Sequence, residues 1–267
     1  VDRIFIQSAN VLREATGVAV SASSYKPGYG GKIALSVNPN AGWMPNTFAG
    51  TVTYRIDLKA AYKLEGWGLL NHTVYSSGGG TVELRYGAAD DGATFEELAD
   101  TFATAGHPEY EPHVMGYLSG VPAKRYWRLS FTGCTSLWFV GGIYLGAELR
   151  AILEAPDDMQ DVPDDTVAQS ETSGGHDRRH AFGNTITLTN MVWRRTTDAI
   201  RSAFREIHTE QEGRGEPILF RDHKWTFTTM ADPFPCRLVT IERLDVSEVR
   251  PGSQWQVRLA VKDLMLT

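Results

Sequence analysis

Between residues 51 and 58 apolar and polar side chains alternate without a break: Val52, Tyr54, Ile56 and Leu58 against Thr51, Thr53, Arg55 and Asp57. Only an extended strand, whose successive side chains point to opposite faces, gathers those four apolar groups onto one surface. The same period returns over residues 81–86 through Val82, Leu84 and Tyr86, and over residues 255–262 through Trp255, Val257, Leu259 and Val261. More uniformly apolar runs at 64–70, 126–132 and 137–145 complete the inventory, with turn signals at Ser76-Ser77-Gly78-Gly79-Gly80 and Asp91-Gly92. Up to about residue 150 no convincing amphipathic helix interrupts them, which predicts an N-terminal β-sandwich.

Downstream the period changes. Trp193, Thr197, Ile200, Phe204 and Ile207 are spaced by three or four residues, which predicts one helix over about 190–211 with a single apolar stripe. Arg194, Arg195, Arg201 and Arg205 fall off that stripe, and Gly213 and Gly215 end it. Strands at 185–189, 217–220, 225–229, 237–246 and 255–264 surround the helix, so the C-terminal part is expected to be an antiparallel sheet or barrel carrying one packed helix.

Charge marks the boundary. Residues 154–172 hold seven acidic side chains, Glu154, Asp157, Asp158, Asp161, Asp164, Asp165 and Glu171, and no basic one. Removing those seven from the formal net charge of -6 leaves +1, so neither flank carries the footprint of a nucleic-acid binder. With Pro156, Pro163 and Ser173-Gly174-Gly175, the stretch is expected to be a solvated connection. The expected domains are 1–153, a linker at 154–175, and 176–267; the alternative is a long surface loop within one domain. A length of 267 residues and a hydrophobic content of 42% suffice for a core in each part. No apolar run of about 18 residues occurs and no basic-then-apolar leader opens the chain, so neither a spanning helix nor Sec export is expected.

Catalytic and cofactor signatures are missing from the residues. There is no Gly-x-Ser-x-Gly elbow, and Cys134 and Cys236 stand far apart in strand-like contexts, as buried free thiols do. Gly28-Tyr29-Gly30-Gly31-Lys32 lacks phosphate-loop spacing. His176 and His180, four apart, would lie about 13 Å from each other on a strand, too far for one metal ion. Asp90-Asp91-Gly92 reads as a hairpin turn rather than a calcium loop, and Asn71-His72-Thr73 as an accidental glycosylation match. No catalytic residue, cofactor or metal site is therefore expected. Six tryptophans, Trp67, Trp127, Trp138, Trp193, Trp225 and Trp255, lie in periodic segments that a core would claim; Trp43, in the loop 38–48, is left as the candidate platform for a sugar ring.

The succession Tyr54-Arg55-Ile56-Asp57-Leu58, Trp67-Gly68-Leu69-Leu70-Asn71-His72, Arg85-Tyr86, Arg125-Tyr126-Trp127-Arg128-Leu129 and Ile143-Tyr144-Leu145-Gly146 resembles the discoidin-like or galectin-like jelly roll of phage tail proteins and many carbohydrate-binding modules. Strand, arginine-bearing helix and Gly213-Arg214-Gly215-Glu216-Pro217-Ile218-Leu219-Phe220 are similar to the ring-forming, tail-tube-like domain of distal tail (baseplate hub) proteins of long-tailed bacteriophages. The order is reversed, since in the commonest arrangement the ring domain comes first, and this leaves open which domain residues 1–25 join. The resemblance implies a structural, non-enzymatic virion protein of the tail tip, assembled in the host cytoplasm. Its partners would be copies of itself in a six-membered ring and the tail tube and tip proteins, with a host surface glycan as a further candidate and with no membrane or nucleic acid. Arg194, Arg195, Arg201 and Arg205 become candidates for the subunit interface or, equally, a solvated helix face. The alternative is a carbohydrate-binding module with an accessory β domain.

Overall fold

In the computed structural model the residues described are 4–35, 42–74, 80–87, 97–103, 113–152, 156–164, 167–171, 177–181, 186–212, 218–221, 234–250 and 254–263. In chain order the elements are β1 (Ile4–Asn10), α1 (Val11–Glu14), β2 (Ala19–Ala22), a 3-10 turn (Gly31–Leu35), β3 (Val52–Tyr62), β4 (Gly66–His72), β5 (Thr81–Gly87), β6 (Glu97–Ala103), β7 (Val114–Tyr117), β8 (Lys124–Thr132) and β9 (Val140–Ile152). They continue with β10 (Asp158–Asp164), β11 (Val167–Glu171), β12 (Asp177–Ala181), β13 (Ile186–Thr196), α2 (Asp198–Glu212), β14 (Ile218–Arg221), β15 (Phe234–Pro235), β16 (Arg237–Arg250) and β17 (Gln254–Asp263). The chain divides into two compact units, Val1–Ala151 with Ile218–Arg237, and Ile152–Pro217 with Leu238–Thr267.

Unit 1 is a β-sandwich. One sheet has the order β2-β3-β8-β5-β6, antiparallel throughout. Facing it, β4 lies between β9 and β7, again antiparallel. The alternation over residues 51–58 turns Val52, Tyr54, Ile56 and Leu58 inward, where they meet Trp127, Leu129 and Phe131 of β8 and Trp67, Leu69, Ile143 and Leu145 of the opposite sheet in one core.

Strand β4 is buried on both faces, which explains its nearly continuous apolar sequence. Its second cover comes from β14, which with β1 extends this side in the order β14-β1-β9-β4-β7-β15. In a flat sheet β14 would stand about 14 Å from β4, three strand spacings away. Instead Leu219 Cδ1 reaches within 2.7 Å of the place a Cβ on Gly68 would take. The sheet therefore curls into a half-barrel, and residue 68 must be glycine because Leu219 and the Val114 carbonyl fill its side-chain space. Both β1 and β2 belong to this unit, and the expected second domain lends it Ile218–Arg237.

Unit 2 is an antiparallel sheet, β10-β13-β17-β16, with α2 packed against it. Among the described side chains of the helix Phe204 and Ile207 are buried, and the Phe204 ring lies 4.7 Å from that of Trp193. The helix begins at Asp198, not near 190: the run Ile186–Thr196 is rich in β-branched and aromatic residues and is held as β13 between β10 and β17. Trp193 still meets the apolar stripe it seemed to belong to, but from the sheet. The acidic stretch is not a free connection throughout, since Asp158–Asp164 is a paired strand and Val167–Glu171 forms a two-stranded sheet with β12. The expected strand at 225–229 and the turn at Asp91-Gly92 lie outside the described residues. No helix among those described is long and apolar enough to cross a membrane.

Candidate ligand-binding site

Where β3 begins, β8 ends and β9 begins, the sandwich is closed by the long β2–β3 connection. Trp43 anchors it. Its backbone exchanges hydrogen bonds with Val140 (2.8 and 2.9 Å), and its ring is fully buried against Tyr54, Trp138 and Phe131, with centroids 5.0, 4.8 and 5.5 Å away. The indole Nε1 donates to the Ser24 carbonyl at 2.9 Å. Trp43 is thus a core residue and has no ring face to offer a sugar, which corrects the expectation drawn from its loop position. Gly42 permits the approach: a Cβ there would sit 2.2 Å from the Val140 carbonyl oxygen.

The described parts of the loop are braced on both sides of Trp43. Lys26 N–H donates to the Met44 carbonyl (2.8 Å), Asn46 N–H to Ser24 Oγ (3.1 Å), Thr53 N–H to Ser23 Oγ (2.9 Å), and the Tyr54 hydroxyl to the Gly31 carbonyl (2.6 Å). The Ser24 hydroxyl donates to Asn46 Oδ1. On this fixed backbone Tyr25 (56% exposed), Phe48 (40%) and Tyr29 (38%) stand out in solvent, where most apolar rings of the unit are interior. Phe48, Ala49, Gly50 and Thr51 form one wall of an open groove of about 560 Å³, and Thr132, Gly133, Cys134 and Thr135 the other. No lining residue is charged, so the groove offers an aromatic edge, hydroxyls and backbone polar groups.

Asp57 accepts from Arg125 Nε (2.6 Å) and Nη2 (3.0 Å) and from Lys59 Nζ (2.7 Å), and these cations hold its carboxyl far below the usual carboxylate range. His113 is buried, and its Nδ1 accepts from the Asn71 N–H at 3.0 Å; desolvation pushes its pKa down to about 4. Cys134 and Cys236 are free and buried, as expected. Among the described residues no group of three His, Cys, Asp or Glu side chains could hold a metal ion. His176 lies outside the described residues, as does the side chain of His180.

The four arginines singled out in sequence are not brought together as one helix face. Arg194 and Arg195 are exposed on β13, and Arg205 is exposed on α2. Arg201 lies half-buried with its guanidinium 4.1 Å above the Trp255 ring and 3.5 Å from Asp198, which itself accepts from Trp255 Nε1 at 2.7 Å. It fastens the helix to β17. Tyr25, Tyr29 and Phe48 were not singled out in sequence, although their position outside any periodic segment was the available signal.

No protein-family model matches the chain, and no curated protein does. Among solved structures it is similar over part of its length to a Ruminococcus gnavus GH29 fucosidase in complex with fucose (TM-score 0.42, 14% identity), the likeness covering 52% of this chain and 27% of that one. The chain thus spans about a quarter of that enzyme's length. It is also similar to the lectin domain of lectinolysin complexed with Lewis b antigen (TM-score 0.42, 12% identity, 53% of this chain and 99% of the other). A Streptococcus pneumoniae fucose-binding module gives a TM-score of 0.39 at 13% identity, over 53% and 99% of the two chains.

Proposed function

We propose that the chain is a non-catalytic binding protein whose unit 1 takes a carbohydrate at the loop end of its sandwich. The observation that carries this is the uncharged groove between residues 48–51 and 132–135, edged by exposed Phe48 on a braced loop that also displays Tyr25 and Tyr29. A sugar ring presents an apolar face that stacks on a flat aromatic side chain and a rim of neutral hydroxyls that pair with Ser, Thr, Asn and backbone groups. A charged ligand would find no counter-ion among the lining residues. Bracing matters because a loop already ordered loses little conformational entropy on binding. The test is a glycan screen followed by titration calorimetry with Phe48→Ala and Tyr25→Ala. Each variant is expected to weaken binding about tenfold, roughly 1.4 kcal/mol, with unchanged thermal stability. Failure of the folded protein to bind any glycan, or binding indifferent to both changes, overturns the proposal.

A second role, assembly, is favoured by unit 2. Among the described residues strands β11 and β12 pair with each other alone, five residues against five, in a sheet of their own. A lone two-stranded ribbon is marginal in water and exposes open edges. We read it as an arm that reaches a neighbouring subunit, in keeping with a ring-forming structural protein of a phage tail tip that meets tail tube and tip proteins in the virion. In that setting the loop end of unit 1 would face a host surface glycan.

A further inference from the structure

Among the described residues three large aromatic rings stand exposed, Tyr25, Tyr29 and Phe48, and all three lie on the connection between β2 and β3. Hydrogen bonds fix their order. The Asn46 N–H donates to Ser24 Oγ (3.1 Å), the Lys26 N–H to the Met44 carbonyl (2.8 Å), and the Met44 N–H to the Tyr29 carbonyl (3.4 Å). The run back from Phe48 to Met44 thus meets the run forward from Ser24 to Tyr29, with Phe48 at one end, Tyr25 beside the first rung and Tyr29 at the other end. There the Tyr29 ring meets half-buried Phe139 edge-on, with centroids 6.4 Å apart. Four residues of chain lead from Met44 to Phe48, a reach of up to about 14 Å. Of the three rings only Phe48 lines the groove, so a molecule held by both Phe48 and Tyr29 must run out of the groove and along the rungs.

The groove has the form of a fork. Strands β3 and β8 pair as far as Val52 opposite Phe131, and beyond that pair their continuations, residues 48–51 and 132–135, become its two walls. Gly50 and Gly133 turn these walls with φ of 74° and 72°, and a Cβ on Gly50 would meet nothing within 4 Å. Diverging strands make a cleft that opens outward. A site for one terminal sugar instead encloses most of its ligand.

We infer that the loop end binds a linear, neutral glycan chain several units long, the groove holding one stretch and Tyr25 and Tyr29 stacking the units that follow. The inference rests on the carbohydrate reading of this groove and names its substrate class. Each ring left in solvent forgoes the burial that core rings gain, and the apolar face of a pyranose supplies that cover. Once the groove has taken one unit, the next units of the same chain meet the other rings without a second loss of translational freedom. The fixed backbone keeps the rings in line, which suits a repetitive, extended ligand.

The test is titration calorimetry of the full chain with malto-, cello-, manno- and galacto-oligosaccharides, each from the monosaccharide to the hexasaccharide. In a series that binds, affinity is expected to rise roughly tenfold or more from disaccharide to hexasaccharide. Tyr29→Ala should lower hexasaccharide affinity roughly tenfold and leave the disaccharide unchanged, Tyr29→Phe should keep the wild-type values, and Phe48→Ala should weaken both ligands. Thermal melting of each variant guards against loss of fold. A monosaccharide that binds as tightly as its hexasaccharide, or a hexasaccharide indifferent to Tyr29→Ala, overturns the inference and leaves the carbohydrate reading standing. A folded protein that binds no glycan at all overturns both.

Discussion

Unit 1 and unit 2 are both mostly strand, yet they solve burial differently. Unit 1 closes two sheets over one core containing Trp43, Trp67, Trp127 and Trp138, all at most 1% exposed. Unit 2 lays a single helix on one sheet, and its large aromatic contact is Trp193 against Phe204. A filled sandwich holds its shape without help, so its loop end is free to carry ligand chemistry on a rigid base. A sheet with one helix and a separate two-stranded ribbon leaves more backbone edge to be covered, which suits a part whose business is other subunits. On the function proposed above, recognition and assembly divide along that line.

The largest effect that would break this comparison is loss of the loop anchor. Trp43→Ala empties a fully buried site among three aromatic rings and removes the bond to Ser24, and is expected to cost about 4 kcal/mol in chemical denaturation. By contrast Trp255→Phe in unit 2, which deletes the bond from Nε1 to Asp198 and leaves a smaller ring under Arg201, should cost about 1 kcal/mol. Similar costs for the two would mean that the loop is not built on a rigid core.

A slightly smaller effect concerns acid. His113, buried in unit 1, has its pKa lowered to about 4, whereas an unfolded histidine titrates near ~6.5. Between those values the unfolded chain binds the proton and the folded one does not, so stability present at neutral pH declines as pH falls through that window, by about 3 kcal/mol. His113→Asn retains an acceptor for the Asn71 N–H and should flatten this part of the pH–stability curve. Among the described residues unit 2 has no fully buried histidine, so the slope should be a property of unit 1.

What the sequence made legible follows from how local each cause is. Strands β3, β5 and β17 were readable because alternation of side chains is written in neighbouring residues. The helix was readable, but its start was not: Trp193 fits a helical stripe by spacing and a strand by composition, and only pairing with Val257 decides. The joining of β1 to β14, far apart in sequence, left no local trace. Trp43 looked available for a ligand because it lies in a loop, and its burial depends on Tyr54, Phe131 and Trp138, which periodicity cannot bring together. Tyr25, Tyr29 and Phe48 share with Trp43 a position outside the periodic segments, and only the fold separates the three that stand in solvent from the one that is buried.

The most direct test of the division between the units is backbone amide shift mapping of the labelled protein titrated with the tightest glycan from the screen. Saturable perturbations are expected at residues 24–29, 46–51 and 132–135, with unit 2 unmoved. Saturable shifts confined to unit 2, or none at the loop end while the glycan is bound, would contradict it.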